Sequence, residues 1–254
     1  MTKLLPSRLK IDRAKKHITD LEVILRQHTQ TNPYRLVCEV KPASFASNRI
    51  MHHYRINTIT PLPDDIPLLI GDAIHNLRVA LDLFAYDIIT TNGGSKQFTG
   101  FPFEEEPGNY DAALTKGKVA MVPDKIKKVF RAVEAYKGGR GSDLWHMNKL
   151  DIIDKHRLLL ATSDITGLAG DFSVGGGTSI NSYISNQHPE GYLVISDRPL
   201  VPHDNMALAF KVVLAERDHL SGQEVVHLLR DLADQTLGVI EKFEAAIFGV
   251  ERAP

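Results

Sequence analysis

The feature that most limits how this chain can fold is a long apolar segment, residues 66–89, with ionisable side chains spaced along it. The ionisable residues within it are Asp72, His75, Arg78, Asp82 and Asp87. A bilayer-spanning helix carries few such groups, because each is costly to place in hydrocarbon. The segment therefore predicts a helix of a soluble protein, in which every enclosed charge must find a partner.

The same segment carries signals for both ends of a helix. Asp64 or Asp65 can cap its N-terminus, and Pro67 lies in the first turn, where its missing N–H costs nothing. An Asn-Gly-Gly sequence at 92–94 is typical of a helix stop. We therefore expect one long helix that ends near Ile89.

Hydrophobic periodicity in the rest of the chain predicts both helices and strands. Further helices are expected at 8–28, near 109–116, 124–136 and 143–160, and after a capping box at 221–224. Period-two alternation predicts a hairpin near 34–60 and antiparallel strands near 170–214. Because the order lacks regular βαβ alternation, we predict an α+β fold, as a single domain over residues 1–254.

Charge is balanced overall but not along the chain. Thirty basic and 31 acidic residues argue against a protein-wide basic footprint for duplex DNA or an anionic membrane, while a local phosphate site remains open. Residues 1–30 carry seven basic and three acidic side chains, whereas residues 215–254 carry four basic and eight acidic ones. The opposite signs predict that the two terminal helices are neighbours.

Cys38 is the single cysteine of the chain, so it has no partner for an internal disulfide or for a CxxC site. Its place in an alternating apolar pattern predicts a small buried residue.

The N-terminus lacks an apolar stretch of signal-peptide length, so we expect a cytoplasmic protein. The sequence predicts no cofactor and no metal site.

The first polar cluster lies on the long helix. Asp72, His75 and Asn76 are spaced i, i+3, i+4 and share a face, while Arg78 and Asp82 are four apart and can pair. Two interpretations follow: a structural network that ties this helix to a neighbour, or the floor of a binding site.

The second polar cluster follows along the chain, in WHMNKLDIIDKHRLLL at 145–160. Asp151 and Lys155 form an i, i+4 pair, while the four titratable residues at 154–157 point in different directions on a helix. This pattern is typical either of a solvated salt-bridge face or of a site shared with another element.

We expect the helices of the two clusters to pack against each other, because each needs the charges of the other. That packing would place Arg78 within hydrogen-bonding reach of Asp151 or Asp154. Alternatively, it would place Arg157 near Asp72 or Asp82.

A glycine-rich stretch, KGGRGS at 137–142, precedes the second cluster. Glycines before a helix N-terminus can present backbone N–H groups to an anion, and Lys137 and Arg140 add charge. Arg140 and His146 flank this loop. The alternative is a plain turn.

Three segments carry a resemblance. GDAIHNLRVALD at 71–82, FPFEEE at 101–106 and LDIIDKHRLLL at 150–160 resemble motifs of an uncharacterised family of bacterial and phage-associated proteins. The resemblance implies a bacterial protein and implies no particular activity.

A weaker similarity involves the helix around Arg78. It is similar to the Arg-x(4)-His motif of HEPN-type ribonucleases, with Leu83 standing where the motif has His. That similarity implies a homodimer whose protomers together cleave RNA without metal, using the 2′-hydroxyl as nucleophile.

Three hypotheses remain for function. The first is a protein that binds a phosphate-bearing or polar ligand; the second is a HEPN-like RNase, active or decayed; the third is a structural or interaction protein. Candidate ligand-binding residues are His75, Asn76, Arg78, Asp82, Arg140, His146, Asp154, His156 and Arg157.

Overall fold

The computed structural model confirms the α+β fold class. It describes residues 5–43, 49–94, 97, 100–117, 119–156, 159, 161–174, 178–185, 194–202, 207–214, 220 and 223–249. Helices within these residues are α1 (Leu5–Gln30), α2 (Asp65–Thr91), α3 (Pro107–Thr115), α4 (Asp124–Val133), α5 (Ser142–Asp154) and α6 (Val225–Phe248). Strands are β1 (Tyr34–Pro42), β2 (Ile50–Thr58), β3 (Ala161–Val174), β4 (Thr178–Ser185), β5 (Val194–Ser196), β6 (Leu200–Pro202) and β7 (Ala207–Leu214).

The chain divides into two compact units. The helical unit comprises Met1–Ile24, Asp64–Ala161 and Leu214–Pro254, and the strand-rich unit comprises Leu25–Pro63 and Thr162–Val213. The single domain that the sequence predicts stays a prediction.

In the helical unit, α2 packs against α5 and α6, and α4 packs against α6. Phe84 of α2, Phe130 of α4 and Phe243 of α6 are fully buried, with ring centroids 5.1 Å apart for Phe84–Phe243 and 4.5 Å for Phe130–Phe243. Burying one such side chain contributes about 1.5–3 kcal/mol. These rings form the core that holds α2 in place.

The terminal helices are neighbours, as their opposite charges predict. Arg8 Nη2 lies 2.6 Å from Glu244 Oε2, Lys15 Nζ lies 3.4 Å from Asp234 Oδ1, and Arg230 pairs with Glu22. Residue numbers rise along α1 as they fall along α6, so the two helices run antiparallel.

The strand-rich unit contains the predicted hairpin. β1 pairs antiparallel with β2 from Tyr34↔Thr58 to Pro42↔Ile50, and β5 adds to the other edge of β2. A second sheet has the order β4-β3-β6, and β7 also pairs with β3.

Cys38 is exposed, so its predicted burial is wrong. The reason is that its side chain lies on a partly uncovered part of the sheet face, where Val40, two residues further along β1, is 57% exposed.

Some helix ends differ from the sequence-based predictions. α5 ends at Asp154 rather than near residue 160, and α4 ends at Val133, because Glu134 adopts the left-handed conformation with φ 53°. Glu224 caps α6 itself: its carboxylate accepts from the backbone N–H groups of Val226 and His227 at 3.1 and 2.7 Å. Residues 221 and 222 of the predicted capping box lie outside the described residues.

A search of the described helices finds none long and apolar enough to cross a membrane.

Candidate functional site

Helices α2 and α5 meet along a row of polar contacts, which confirms that the two clusters pack against each other. Three contacts connect the helices: Gly71 with Asp154, His75 with Asp151, and Arg78 with Asn148. The numbers rise along α2 and fall along α5, so the helices are antiparallel. The spacing of three or four residues on each helix keeps the contacts on one face.

Asp151 is the most enclosed of these polar groups, with a side chain 3% exposed. Its Oδ1 lies 2.8 Å from His75 Nδ1, and its Oδ2 accepts from Lys155 Nζ at 2.5 Å. The second bond confirms the predicted i, i+4 pair. Because a carboxylate only accepts, His75 Nδ1 carries the hydrogen. His75 Nε2 is then left to bind another group, on a side chain that is 46% exposed.

Asp154 lies one turn from Asp151, against the backbone of α2. A Cβ atom on Gly71 would come within 2.6 Å of Asp154 Cγ, so glycine is what lets the carboxyl group approach the helix. Burial raises the pKa of Asp154, and the nearby Asp151 and Asp72 act in the same direction. The backbone N–H of Leu159, which donates to this carboxyl group, acts in the opposite direction.

Arg78 is held on three sides. Its Nε donates to Asn148 Oδ1 at 2.7 Å, its Nη1 pairs with Asp82, and its Cζ lies 4.6 Å from the Phe103 ring centroid. The predicted i, i+4 pair with Asp82 is therefore confirmed. The predicted contact with Asp151 or Asp154 is wrong, because the α5 side chain at the level of Arg78 is Asn148.

Asp82 connects α2 to the FPFEEE segment. Its Oδ1 accepts from the backbone N–H of Phe101 at 2.9 Å. Beside this bond lies a cleft of about 750 Å³. Its lining includes Arg78, Asp82, Phe101, Phe103, Glu104 and, on α3, Asn109, Ala112 and Ala113.

Asn76 points away from α5. Its Oδ1 accepts from Lys10 Nζ of α1 at 3.1 Å, and its Nδ2 donates to the backbone oxygen of Asp72 at 2.7 Å. Asn76 therefore connects α2 to α1 and lies outside the α2–α5 row.

The glycine-rich stretch forms a closed turn. The backbone N–H of Arg140 donates to Glu134 Oε2 at 3.1 Å, and the Arg140 guanidinium donates to Glu134 Oε1 at 3.1 Å. The N–H groups of residues 138, 139, 141 and 142 also donate to acceptors within 134–142. The carboxylate of Glu134 thus occupies the position that an external anion would take, and Arg140 is separate from the α2–α5 row.

The other candidate residues are dispersed. His146 is buried beside Trp145, with ring centroids 4.8 Å apart, and His156 is exposed just beyond the end of α5. Arg157 lies outside the described residues. The structure therefore brings together His75, Arg78, Asp82 and Asp154 from the predicted set.

Sequence reasoning missed Asn148, Phe103 and Glu134 as partners of the charged groups. Phe103 had a signal, since it belongs to one of the three segments that carry the resemblance. Asn148 and Glu134 had none, because neither has a distinctive spacing from the residue that it binds.

Among the described residues, no group of three or more His, Cys, Asp or Glu side chains is arranged to hold a metal ion. In comparisons with known proteins, no protein-family model, curated protein or solved structure matches the chain.

Proposed function

We propose that this protein binds a small polar ligand in the cleft between α2, α3 and residues 100–104. The observation that carries the proposal is the cleft itself, with Arg78 and Asp82 on its wall. Its volume of about 750 Å³ falls within the range typical of small-molecule sites. Apolar surface beside a few convergent polar groups is the usual composition of such sites.

The lining indicates the chemistry of the ligand. Asp82 and Glu104 supply carboxylate oxygens, and Arg78 supplies a guanidinium that already pairs with Asp82. A ligand that bears only a phosphate would face more negative than positive charge. A ligand with both a donor group for the carboxylates and an anionic or acceptor group for Arg78, such as an amino acid zwitterion, fits this lining better.

The His75–Asp151 pair lies next to Arg78 on the surface of α2. His75 and Arg78 are three residues apart, so they are neighbours on the helix. Asp151 fixes the ring of His75, which leaves Nε2 as an acceptor for a ligand O–H or N–H when the imidazole is neutral. His75 does not line the cleft, so this pair adds a polar group on the neighbouring surface of α2 rather than on the cleft wall.

The RNase alternative receives no comparable support from the described contacts. Leu83 cannot transfer a proton. RNA cleavage therefore stays an alternative hypothesis.

The test is a titration of the ¹⁵N-labelled full chain with amino acids and, separately, with inorganic phosphate, followed by NMR. We expect amide shifts in residues 100–104 and 109–117 with at least one amino acid. Ala112→Phe fills the cleft from its exposed α3 wall and should abolish those shifts. Ala132→Phe is the matched control, because Ala132 is exposed on α4 and does not line the cleft.

Two results would contradict the proposal. One is the absence of shifts at 100–117 with every probe. The other is binding that Ala112→Phe leaves unchanged while its spectrum shows an intact fold.

A further inference from the structure

Strand β1 is the edge of its sheet in the part of the chain that the structure describes. The sheet order is β1-β2-β5, so β2 is flanked on both sides while β1 pairs on one side with a described strand. The strand is nine residues long, Tyr34–Pro42. A long, regular edge presents backbone N–H and C=O groups to which another strand can add.

The register shows which backbone groups point outward. Ile59 N donates to Pro33 O and Ala43 N donates to Arg49 O, both at 2.8 Å, and both pairs continue the β1–β2 register. Hydrogen-bonded pairs alternate along an antiparallel ladder, so the odd-numbered residues of β1 bond to β2. The N–H and C=O groups of Leu36, Cys38 and Val40 therefore point to the open edge.

One face of this edge is uncharged and partly uncovered. Tyr34, Leu36, Cys38 and Val40 alternate onto the same face. Cys38 is exposed, and Val40 is 57% exposed although it is a large apolar residue. The side chains of a partner strand that continues this row would pack beside both.

The opposite face carries charges that complement themselves. Arg35 is exposed, and Glu39 contacts Arg55 at 2.7 Å and Lys41 at 3.2 Å. If two copies of β1 pair antiparallel about Val37, Arg35 of each copy lies opposite Glu39 of the other. The alternative register about Cys38 instead places Arg35 opposite Lys41, where like charges repel.

We propose that two copies of this chain associate through their β1 strands, paired antiparallel about Val37. The register places Leu36 opposite Cys38, so the outward-pointing N–H and C=O groups of these two residues face each other and ladder hydrogen bonds can form. The pairing joins two three-stranded sheets into one. Such a contact is isologous, because the same strand serves both protomers. It is independent of the proposed ligand cleft.

The register is tested by disulfide trapping in the full chain. In the Cys38→Ser background, Val37→Cys places two thiols at the symmetry axis, in a non-hydrogen-bonded pair with Cα atoms about 4.5 Å apart. That separation lies within the range for a disulfide. Wild-type Cys38 is the matched control, because its two copies would be about 8 Å apart, beyond disulfide reach. We expect a covalent dimer from the Val37→Cys variant under mild oxidation and none from the wild type.

Association is tested by sedimentation over about 1–100 µM protein, a range that reports micromolar dissociation constants. We expect a monomer–dimer equilibrium that Arg35→Glu weakens about tenfold, since it replaces two attractive pairs by repulsive ones. Arg26→Glu, with the same charge change on the exposed face of α1, should leave the equilibrium unchanged. A monomer at every concentration, or cross-linking through position 38 instead of 37, would overturn the proposal.

Discussion

The contacts of Asp151 show which interactions can be predicted from residue spacing and which cannot. Its bond to Lys155 could be predicted, because both lie on one helix face four residues apart. Its bond to His75 could be predicted only as a contact between two helices. The reason is that periodicity indicates which residues share a helix face, but not how far one helix is shifted along the axis of its neighbour. For the same reason, the partner of Arg78 on α5 was predicted incorrectly.

The first prediction concerns His75. Replacing it by alanine leaves a nearly buried carboxylate, Asp151, with one partner fewer, so the free energy of unfolding should fall by about 1–3 kcal/mol. Urea denaturation measures this change. His227→Ala is the matched control: His227 is 77% exposed and pairs with exposed Asp231, so its removal should cost at most about 0.5 kcal/mol. Equal effects in the two variants would show that the His75–Asp151 pair is not structurally important.

The second prediction concerns the raised pKa of Asp154. The folded protein holds this proton more tightly than the unfolded chain, so its stabilising contribution is present below the ordinary Asp pKa and is lost as pH rises through the folded value. Asp154→Asn cannot ionise and should be more stable than the wild type at about pH 7, with the difference shrinking towards about pH 4. Urea denaturation across this range measures the trend. A variant that is less stable at neutral pH and more stable in acid would contradict it.

Among the secondary-structure elements, those with a long, unbroken pattern could be predicted. The hairpin, α2 and the neighbouring terminal helices follow from period two, period 3.6 and opposite charge. The turn between α4 and α5 could not be predicted in detail. The glycines there predict backbone N–H groups that are available to an anion, whereas the structure pairs these groups with acceptors within residues 134–142, and the Glu134 carboxylate accepts from Arg140.

The third prediction tests how tightly that turn is packed. A Cβ atom on Gly141 would lie 2.7 Å from the backbone oxygen of Val133, which cannot move without displacing the end of α4. We expect Gly141→Ala to lower the free energy of unfolding by about 1–3 kcal/mol. Gly238→Ala on α6 is the control: a Cβ there meets nothing within 4 Å, so the substitution should stabilise the helix by up to about 1 kcal/mol. Thermal or urea denaturation of both variants distinguishes the packing cost at Gly141 from the gain in helix propensity at Gly238.

Across the whole molecule, the net charge is close to zero, although basic and acidic residues are concentrated in different helices. The total is −1, yet the excess basic charge of α1 and the acidic charge of α6 meet in pairs along their length. Surface pairs of this kind contribute about 0.2–1 kcal/mol each, so they favour this pairing of helices while adding little to the stability. The buried aromatic rings of α2, α4 and α6 supply the larger contribution.

The last prediction concerns RNA cleavage by the whole protein. We expect purified protein to show no RNase activity above background, with or without magnesium, because Leu83 cannot donate or accept a proton. Leu83→His restores the Arg-x(4)-His spacing, so a gain of metal-independent cleavage in this variant would show that the proton-transfer group was all that the site lacked. Digestion of a fluorescent single-stranded RNA measures both. Cleavage by the wild type that is lost in His75→Ala, with the fold intact, would show instead that His75 supplies the proton transfer and would favour the RNase hypothesis.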